Sequence, residues 1–187
     1  LAEPADIVTA VERVLTPPDL AGVRVLVTAG GTREAIDPVR FVGNRSSGKQ
    51  GHAIADEAAA RGASVVLVTT VRRPVHAAVE VVQVESAAEM EAAVLGRSGD
   101  VDVVVMAAAV ADFRPKAPAD EKIKKHEGVP EIVLEPTTDI LAALGAAKRP
   151  GQVLVGFAAE TSDLVANAVV KVRRKNLDLV VANDVSA

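Results

Sequence analysis

Short runs of Val, Leu and Ile, nearly free of polar residues, recur along this chain and alternate with helical patterns. They fall at residues 23–28, 64–69, 79–84, 101–106, 153–157 and 177–182. A run that is apolar at every position has no face to offer water. It needs cover on both sides, which is the situation of a strand in a parallel sheet. Between the runs lie predicted helices. One spans 51–61, is rich in Ala and is closed by Gly62. Another is opened by Ser86, with Glu89 three residues on as a capping box. Two more are expected at 139–147 and 162–175, and a further short strand at 131–134. Strands alternating with helices imply right-handed crossovers. The expected fold is therefore α/β, a doubly wound, mostly parallel Rossmann-like sheet with helices on both faces.

Ahead of the first strand, residues 2–15 carry Ile7, Val11, Val14 and Leu15 on one helical face, with Asp6 as a cap. Pro17-Pro18 ends that pattern. Residues 1–18 thus read as an N-terminal helix or linker to something upstream, and 19–187 as the main domain. The chain stops soon after the last apolar run, so a C-terminal part is expected to be missing.

The chain has 187 residues, 49% of them hydrophobic but only 2% aromatic, so its core must be aliphatic and closely packed. There is no cysteine, which removes disulfides, thiolate nucleophiles and thiolate metal sites. No apolar run reaches the roughly 20 residues that span a bilayer, and no signal peptide begins the chain. No membrane partner and a cytoplasmic location are expected. A net charge of −4 argues against nucleic acid as a partner. The cations are clustered nonetheless, at Arg40/Arg45/Lys49, Lys122/Lys124/Lys125 and Lys171/Arg173/Arg174/Lys175. Such clusters on an acidic protein suit a small polyanion, although each also suits a solvated face.

The run Gly43-Asn44-Arg45-Ser46-Ser47-Gly48-Lys49-Gln50 matches G-x-x-x-x-G-K and then places Gln where a P-loop has Ser or Thr. Pro38 and Arg40 also spoil the buried strand that a P-loop requires before its first glycine. What remains is a Gly-bounded loop entering a helix, suited to an anion. Thr28-Ala29-Gly30-Gly31 follows the first strand without G-x-G-x-x-G. The second strand ends in Thr69-Thr70-Val71, with no acidic residue for a ribose, so a tight turn explains the glycines as well as NAD would. Residues 107–113 end the fourth strand, where open α/β sheets bind ligands, and Asp112 there suits a sugar hydroxyl, a metal-bound water or the cap of a turn. Lys171 and Lys175 are spaced i, i+4, so they share a helix face and can converge on one phosphate chain, or simply complement the helix dipole. His52, His76 and His126 lack partners at metal-ligand spacing, and no metal ligands can be assigned. Phe157 ends a strand, as a base platform or as core.

Taken in order, several segments resemble the phosphopantothenate–cysteine ligase family. They are Val27-Thr28-Ala29-Gly30-Gly31-Thr32-Arg33-Glu34, Asp37-Pro38-Val39-Arg40-Phe41, Asn44-Arg45-Ser46-Ser47-Gly48-Lys49, residues 107–113, Lys122-Ile123-Lys124-Lys125, Val155-Gly156-Phe157-Ala158-Ala159-Glu160-Thr161, Lys175-Asn176-Leu177-Asp178 and Asn183-Asp184-Val185-Ser186. The resemblance implies an acid–amino-acid ligase of coenzyme A biosynthesis. CTP and 4′-phosphopantothenate would form an acyl-cytidylate, from which L-cysteine displaces CMP. It implies Mg2+, a homodimer, and fusion to a flavin-dependent decarboxylase domain, with no FMN bound by this chain. It carries over catalytic roles to Asn44 and Lys122. Nucleotide-binding roles fall to Met106, Ala107, Ala108, Asp112, Lys122, Thr138, Asp139, Ile140, Leu141, Phe157, Lys171 and Lys175. Substrate-binding roles fall to Arg40, Asn44, Ser46, Ser47 and Gly48. Pro136-Thr137-Thr138-Asp139 departs from the family's Asn-Pro-Asp, which touches the base and ribose contacts. The rivals are an NAD(P)-binding oxidoreductase and a nucleotide-binding regulatory module.

Overall fold

The apolar runs lie side by side, all parallel, in a computed structural model that describes residues 3–15, 17–124 and 130–186. Helix α1 (Pro4–Leu15) precedes β1 (Arg24–Ala29), which runs into a small antiparallel pair, β2 (Arg33–Ala35) and β3 (Phe41–Gly43). Helix α2 (Lys49–Ala60) leads to β4 (Ser64–Thr69) and β5 (Val79–Gln83), then α3 (Ala87–Ser98) and β6 (Val103–Met106). A second antiparallel pair joins β7 (Phe113–Pro115) to β8 (Leu134–Pro136). Helix α4 (Ile140–Ala146), β9 (Val153–Glu160), α5 (Leu164–Arg174) and β10 (Leu179–Asp184) follow.

The main sheet has the order β10-β9-β6-β1-β4-β5. The chain winds outward from β1 through β4 to β5, returns to β6 beside β1, and winds outward again. This is the doubly wound order expected from the sequence, and its switch point lies between β1 and β6. Loops leaving those two strands diverge, which opens a crevice at their carboxyl ends.

Both sheet faces are covered around β1. On one face Val25, Val27 and Ala29 meet Ala55, Ala58 and Ala59 of α2. Small residues let that helix lie against the strands, and a Cβ on Gly51 would stand 2.6 Å from both Thr28 O and Ala29 Cβ. On the other face Leu26, Val68, Val104 and Met106 meet Met90 and Val94 of α3 and Ile140, Leu141 and Leu144 of α4. Each fully buried aliphatic side chain of this kind contributes about 1.5–3 kcal/mol, so a core almost without aromatics is sufficient.

The helix ends follow their sequence signals. Gly62 adopts φ 91° and its N–H reaches Ala59 O at 3.0 Å, closing α2 as expected. Ser86 Oγ accepts from Glu89 N–H at 3.2 Å, while Glu89 Oε2 accepts from Glu85 N–H at 2.8 Å, one residue earlier than a regular capping box places it. Other expectations shift. The strand expected at 131–134 forms at Leu134–Pro136, where β7 offers a partner. The last strand starts at Leu179 rather than 177, because Leu177 turns into the core and is 7% exposed. The predicted helix 2–15 forms as Pro4–Leu15. The capping role of Asp6 and the places of Lys125 and His126 lie outside the described residues and side chains.

Candidate active site

The crevice is built by knitting the end of β1 to the segment after β6. Ala108 N–H donates to Thr28 Oγ1 at 3.0 Å and Ala111 N–H to Thr32 Oγ1 at 2.9 Å. Ala109 N–H donates to Gly30 O at 2.8 Å. Thr28 and Thr32 are fully buried, so these hydroxyls have no water to compete for the bonds. Gly31 is required on steric grounds, since a Cβ there would collide with the carbonyl oxygen of Asn44. The loop after β3 therefore crosses directly over the Gly30-Gly31 turn. Asn44 is fixed in that crossing, its Nδ2 donating to Val110 O at 3.0 Å.

A cavity of about 500 Å³ lies between these loops and the ends of β6 and β9. Asn44, Arg45, Ser46 and Gln50 form one wall, the stretch from Met106 to Asp112 forms the floor, and Thr137 to Leu141 with Phe157 form the far wall. Lys171 and Lys175 enter from α5. Lys171 Nζ donates to Phe157 O at 2.5 Å. Burial holds its ammonium below the ordinary lysine range, and the positive charge of Lys175 adds to the effect. Lys175 is paired with Asp139, with Nζ at 3.0 and 2.9 Å from the two carboxylate oxygens. Burial alone would raise the Asp139 carboxyl, but Lys175 and the N–H of Ala142 keep it below the usual value. Asp139 is thus both the N-cap of α4 and the anchor of Lys175.

Thirteen of the residues expected at the site line this one cavity: Asn44, Ser46, Met106, Ala107, Ala108, Asp112, Thr138, Asp139, Ile140, Leu141, Phe157, Lys171 and Lys175. Arg40, Ser47, Gly48 and Lys122 do not. Arg40 is engaged elsewhere, its guanidinium on Asp37 at 2.6 Å and on Ile123 O at 2.7 Å. Asp37 is almost fully buried, and it also accepts from the N–H groups of Val39, Arg40 and Ile123. Burial would raise its carboxyl, yet those N–H groups and the guanidinium hold it well below the carboxylate range. This knot fastens the loop carrying Lys122, which is itself exposed, to the turn before β3. Gly48 takes φ 70° as the N-cap of α2, with no side chain capping that helix. The strand before this loop, β3, pairs only with β2 outside the main sheet, so the P-loop arrangement is absent.

Sequence reasoning named Arg45 only within a cation cluster and left out Gln50, Thr137, Asn183 and Val185 as site residues, although all five line the cavity. Gln50, noted only as the residue that breaks a P-loop pattern, faces Asn183 with its Oε1 3.4 Å from that Nδ2. The signal was present, because a residue unlike the motif at a helix start still points where the helix starts. Among the described residues no group of three or more His, Cys, Asp or Glu could hold a metal. No helix among the described residues is long and apolar enough to cross a membrane.

Comparison with known proteins agrees with this geometry. The family described as "DNA/pantothenate metabolism flavoprotein C-terminal domain" matches residues 20–187. The coenzyme A biosynthesis bifunctional protein CoaBC of Mycobacterium tuberculosis is 53% identical over 90% of this chain and 43% of its own length. That of Bacillus subtilis is 48% identical over 100% of this chain and 47% of its own. The chain therefore spans about half the length of the curated relatives it matches. A crystal structure of a CoaBC C-terminal domain, 49% identical, superposes with a TM-score of 0.76 over 88% of this chain and 79% of that one. With a cavity at the switch point, a matched profile across the whole sheet and close relatives of known architecture, this chain belongs to the DNA/pantothenate metabolism flavoprotein C-terminal domain family and corresponds to the C-terminal part of the bifunctional coenzyme A biosynthesis proteins.

Proposed function

We propose that this chain joins 4′-phosphopantothenate to L-cysteine in two steps driven by CTP. The observation that carries the reading is the cavity itself, with Asn44 and Ser46 on one wall and Lys171, Lys175 and Phe157 on the other. In the first step a carboxylate oxygen of phosphopantothenate attacks the α-phosphorus of CTP, the bond to pyrophosphate breaks, and an acyl-cytidylate forms. In the second the cysteine amine attacks the acyl carbon, the bond to CMP breaks, an amide forms, and the amine proton passes to solvent.

Neither step needs a protein nucleophile, which suits a chain without cysteine. The first step brings two anions together, so its barrier is electrostatic, and cations already placed in the cavity lower it without reorganisation. Lys171 supplies charge from a partly desolvated position, where a charge acts more strongly than in water. Lys175 is held in place by Asp139. The Asn44 amide has a second N–H beyond the one given to Val110, and that proton is suited to the acyl oxygen as the tetrahedral intermediate forms. Phe157 offers a face for the base. Lys122, on the loop held by Asp37, is assigned to the nucleotide phosphates on engagement of substrate, and Arg40, Ser47 and Gly48 to the acid substrate.

Magnesium fits this site only as a companion of the triphosphate. Asp112 is the one carboxylate on the cavity floor, and Mg2+ commonly takes one or two carboxylates alongside substrate phosphates. When bound it would neutralise phosphate charge. No FMN is assigned to this chain. The working form is proposed to be a homodimer, which sedimentation would test.

The deciding experiment is pyrophosphate release by the purified chain. Release that requires CTP, phosphopantothenate and Mg2+ together supports the ligase. Binding of NADPH without CTP overturns it in favour of an oxidoreductase, and CTP binding without any turnover favours a regulatory module.

A further inference from the structure

The loop that carries Lys122 takes no part in the core. Among the described residues, none from 116 to 124 joins either core cluster. Hydrogen bonds from its own N–H groups fix it instead. Lys116 N–H donates to Val133 O at 2.9 Å, Ala119 N–H to Ile36 O at 2.9 Å, and Ile123 N–H to Asp37 Oδ2 at 3.2 Å. The last two end on the turn before β3. The peptide at Ile123 is clamped from both sides, because its carbonyl also accepts from Arg40 Nη2 at 2.7 Å.

The bond from Ile123 is more than that turn needs. A buried carboxylate must be satisfied, and Asp37 finds enough partners close by. It accepts from the N–H groups of Val39 and Arg40, each at 2.8 Å, and from Arg40 Nε at 2.9 Å. Those bonds close the turn by themselves. The bond to residue 123 reaches across 86 positions of sequence and fixes the peptide next to Lys122. Its anchor lies near the cavity, since β3 runs from this turn to Asn44 on the cavity wall. The chain from Arg40 to Asn44 spans at most about 14 Å. Lys122 is exposed, so the clamp holds the backbone beside it and leaves the ammonium at the surface. Backbone ordered in the free chain has no further entropy to lose when a ligand arrives.

We propose that Asp37 is a positioning residue for Lys122: through the clamped Ile123 peptide it sets the place of the lysine before the nucleotide binds. The inference rests on reading Lys122 as a ligand of the nucleotide phosphates in a CTP-dependent ligase.

A double-mutant cycle on pyrophosphate release by the intact 187-residue chain tests it. Lys122→Gln should lower kcat/KM for CTP by roughly 10²-fold, and Asp37→Asn by roughly tenfold or more. In the Lys122→Gln background, Asp37→Asn should lower it by less than about twofold further. A residue that only supports the fold would lower it by the same factor in both backgrounds. Hydrogen exchange gives a second reading without ligand. The Ile123 amide should exchange roughly tenfold or more slowly than an unstructured amide in the wild-type chain and lose that protection in Asp37→Asn. Ile123→Pro deletes the donor of the long-range bond and leaves Asp37 its local partners. It replaces Asp37→Asn in the cycle where that variant does not fold, with the same expected outcome. Losses that multiply, unchanged CTP kinetics in the Asp37 and Ile123 variants, or an unprotected Ile123 amide overturn the positioning role. Pyrophosphate release by the wild type leaves the ligase reading standing in each of those cases. A wild-type chain that releases none with CTP, phosphopantothenate and Mg2+ overturns the ligase reading and the positioning role with it.

Discussion

Asn44 and Lys171 carry different halves of the proposed chemistry, and their surroundings say how each should fail. The Asn44 side chain bonds Val110 O and lines the cavity wall opposite the lysines, the wall proposed for the acid substrate. Asn44→Ala should therefore leave pyrophosphate release near normal while amide formation falls by roughly 10²-fold or more. Acyl-cytidylate should accumulate, and equal loss of both steps would remove the role given to this residue. Lys171 sits where burial disfavours its charge. An anion binding beside it stabilises the charged form, so on the proposed reading CTP should bind best below the pKa of the free enzyme's Lys171 and weaken as pH rises through it. Because that pKa is depressed, the weakening should begin at lower pH than an ordinary lysine would give. Lys171→Arg should move the onset upward, which calorimetric titration of CTP against pH would show. Asn44 and both lysines were legible in the sequence. The knot around Asp37 was not, because it joins residues 37 and 123, and no local pattern signals a bond across that separation.

Helix α4 grips the end of α5 at two places. Its N-cap Asp139 holds Lys175, and its Gly145 lies so close to the carbonyl of Lys175 that a Cβ there would overlap the oxygen. Asn176, at φ 53°, turns the chain away and donates to Gly145 O at 2.9 Å. Gly145→Ala should push Lys175 off Asp139, cost about 1–3 kcal/mol as overpacking, and weaken CTP binding well beyond what the stability loss explains. Thermal melts and CTP titrations on the same variant would show whether the two effects separate. Ser86→Ala, which removes the cap of α3 outside the cavity lining, should cost about 1 kcal/mol and leave turnover unchanged. The elements themselves were mostly legible from periodicity and caps. The three-residue strands β2, β3 and β7 were not, since three residues are too few to establish a period and their pairing is set by distant partners.

Across the molecule, the doubly wound class could be inferred because strand–helix alternation permits few right-handed arrangements. The carboxyl end of the fourth strand was expected to bind a ligand on that ground, but Asn183 of β10 was not, because it belongs to an edge strand two places from β6. At the other pole, Arg24 and Asp102 tie β1 to β6, with guanidinium contacts at 3.2 and 2.9 Å. The side-chain bond to Arg24, then its backbone N–H, lower the Asp102 carboxyl from 3.8 to about 2. A depressed folded-state pKa stabilises above the unfolded value and loses that effect as pH falls through the folded one. The melting temperature of Asp102→Asn should therefore lie below wild type at neutral pH, and the gap should close between about pH 4 and pH 2. The Thr28 and Thr32 hydroxyls, each closed onto an N–H of the facing loop, have a different consequence. They join the turn after β1, over which the Asn44 loop crosses, to the cavity floor as one unit that is set before any ligand arrives. On the proposed reading, each substrate would then find the same receptor whether or not the other is present. The coupling free energy between CTP and phosphopantothenate should thus reduce to the repulsion between their own charges, and should shrink toward zero as salt is raised.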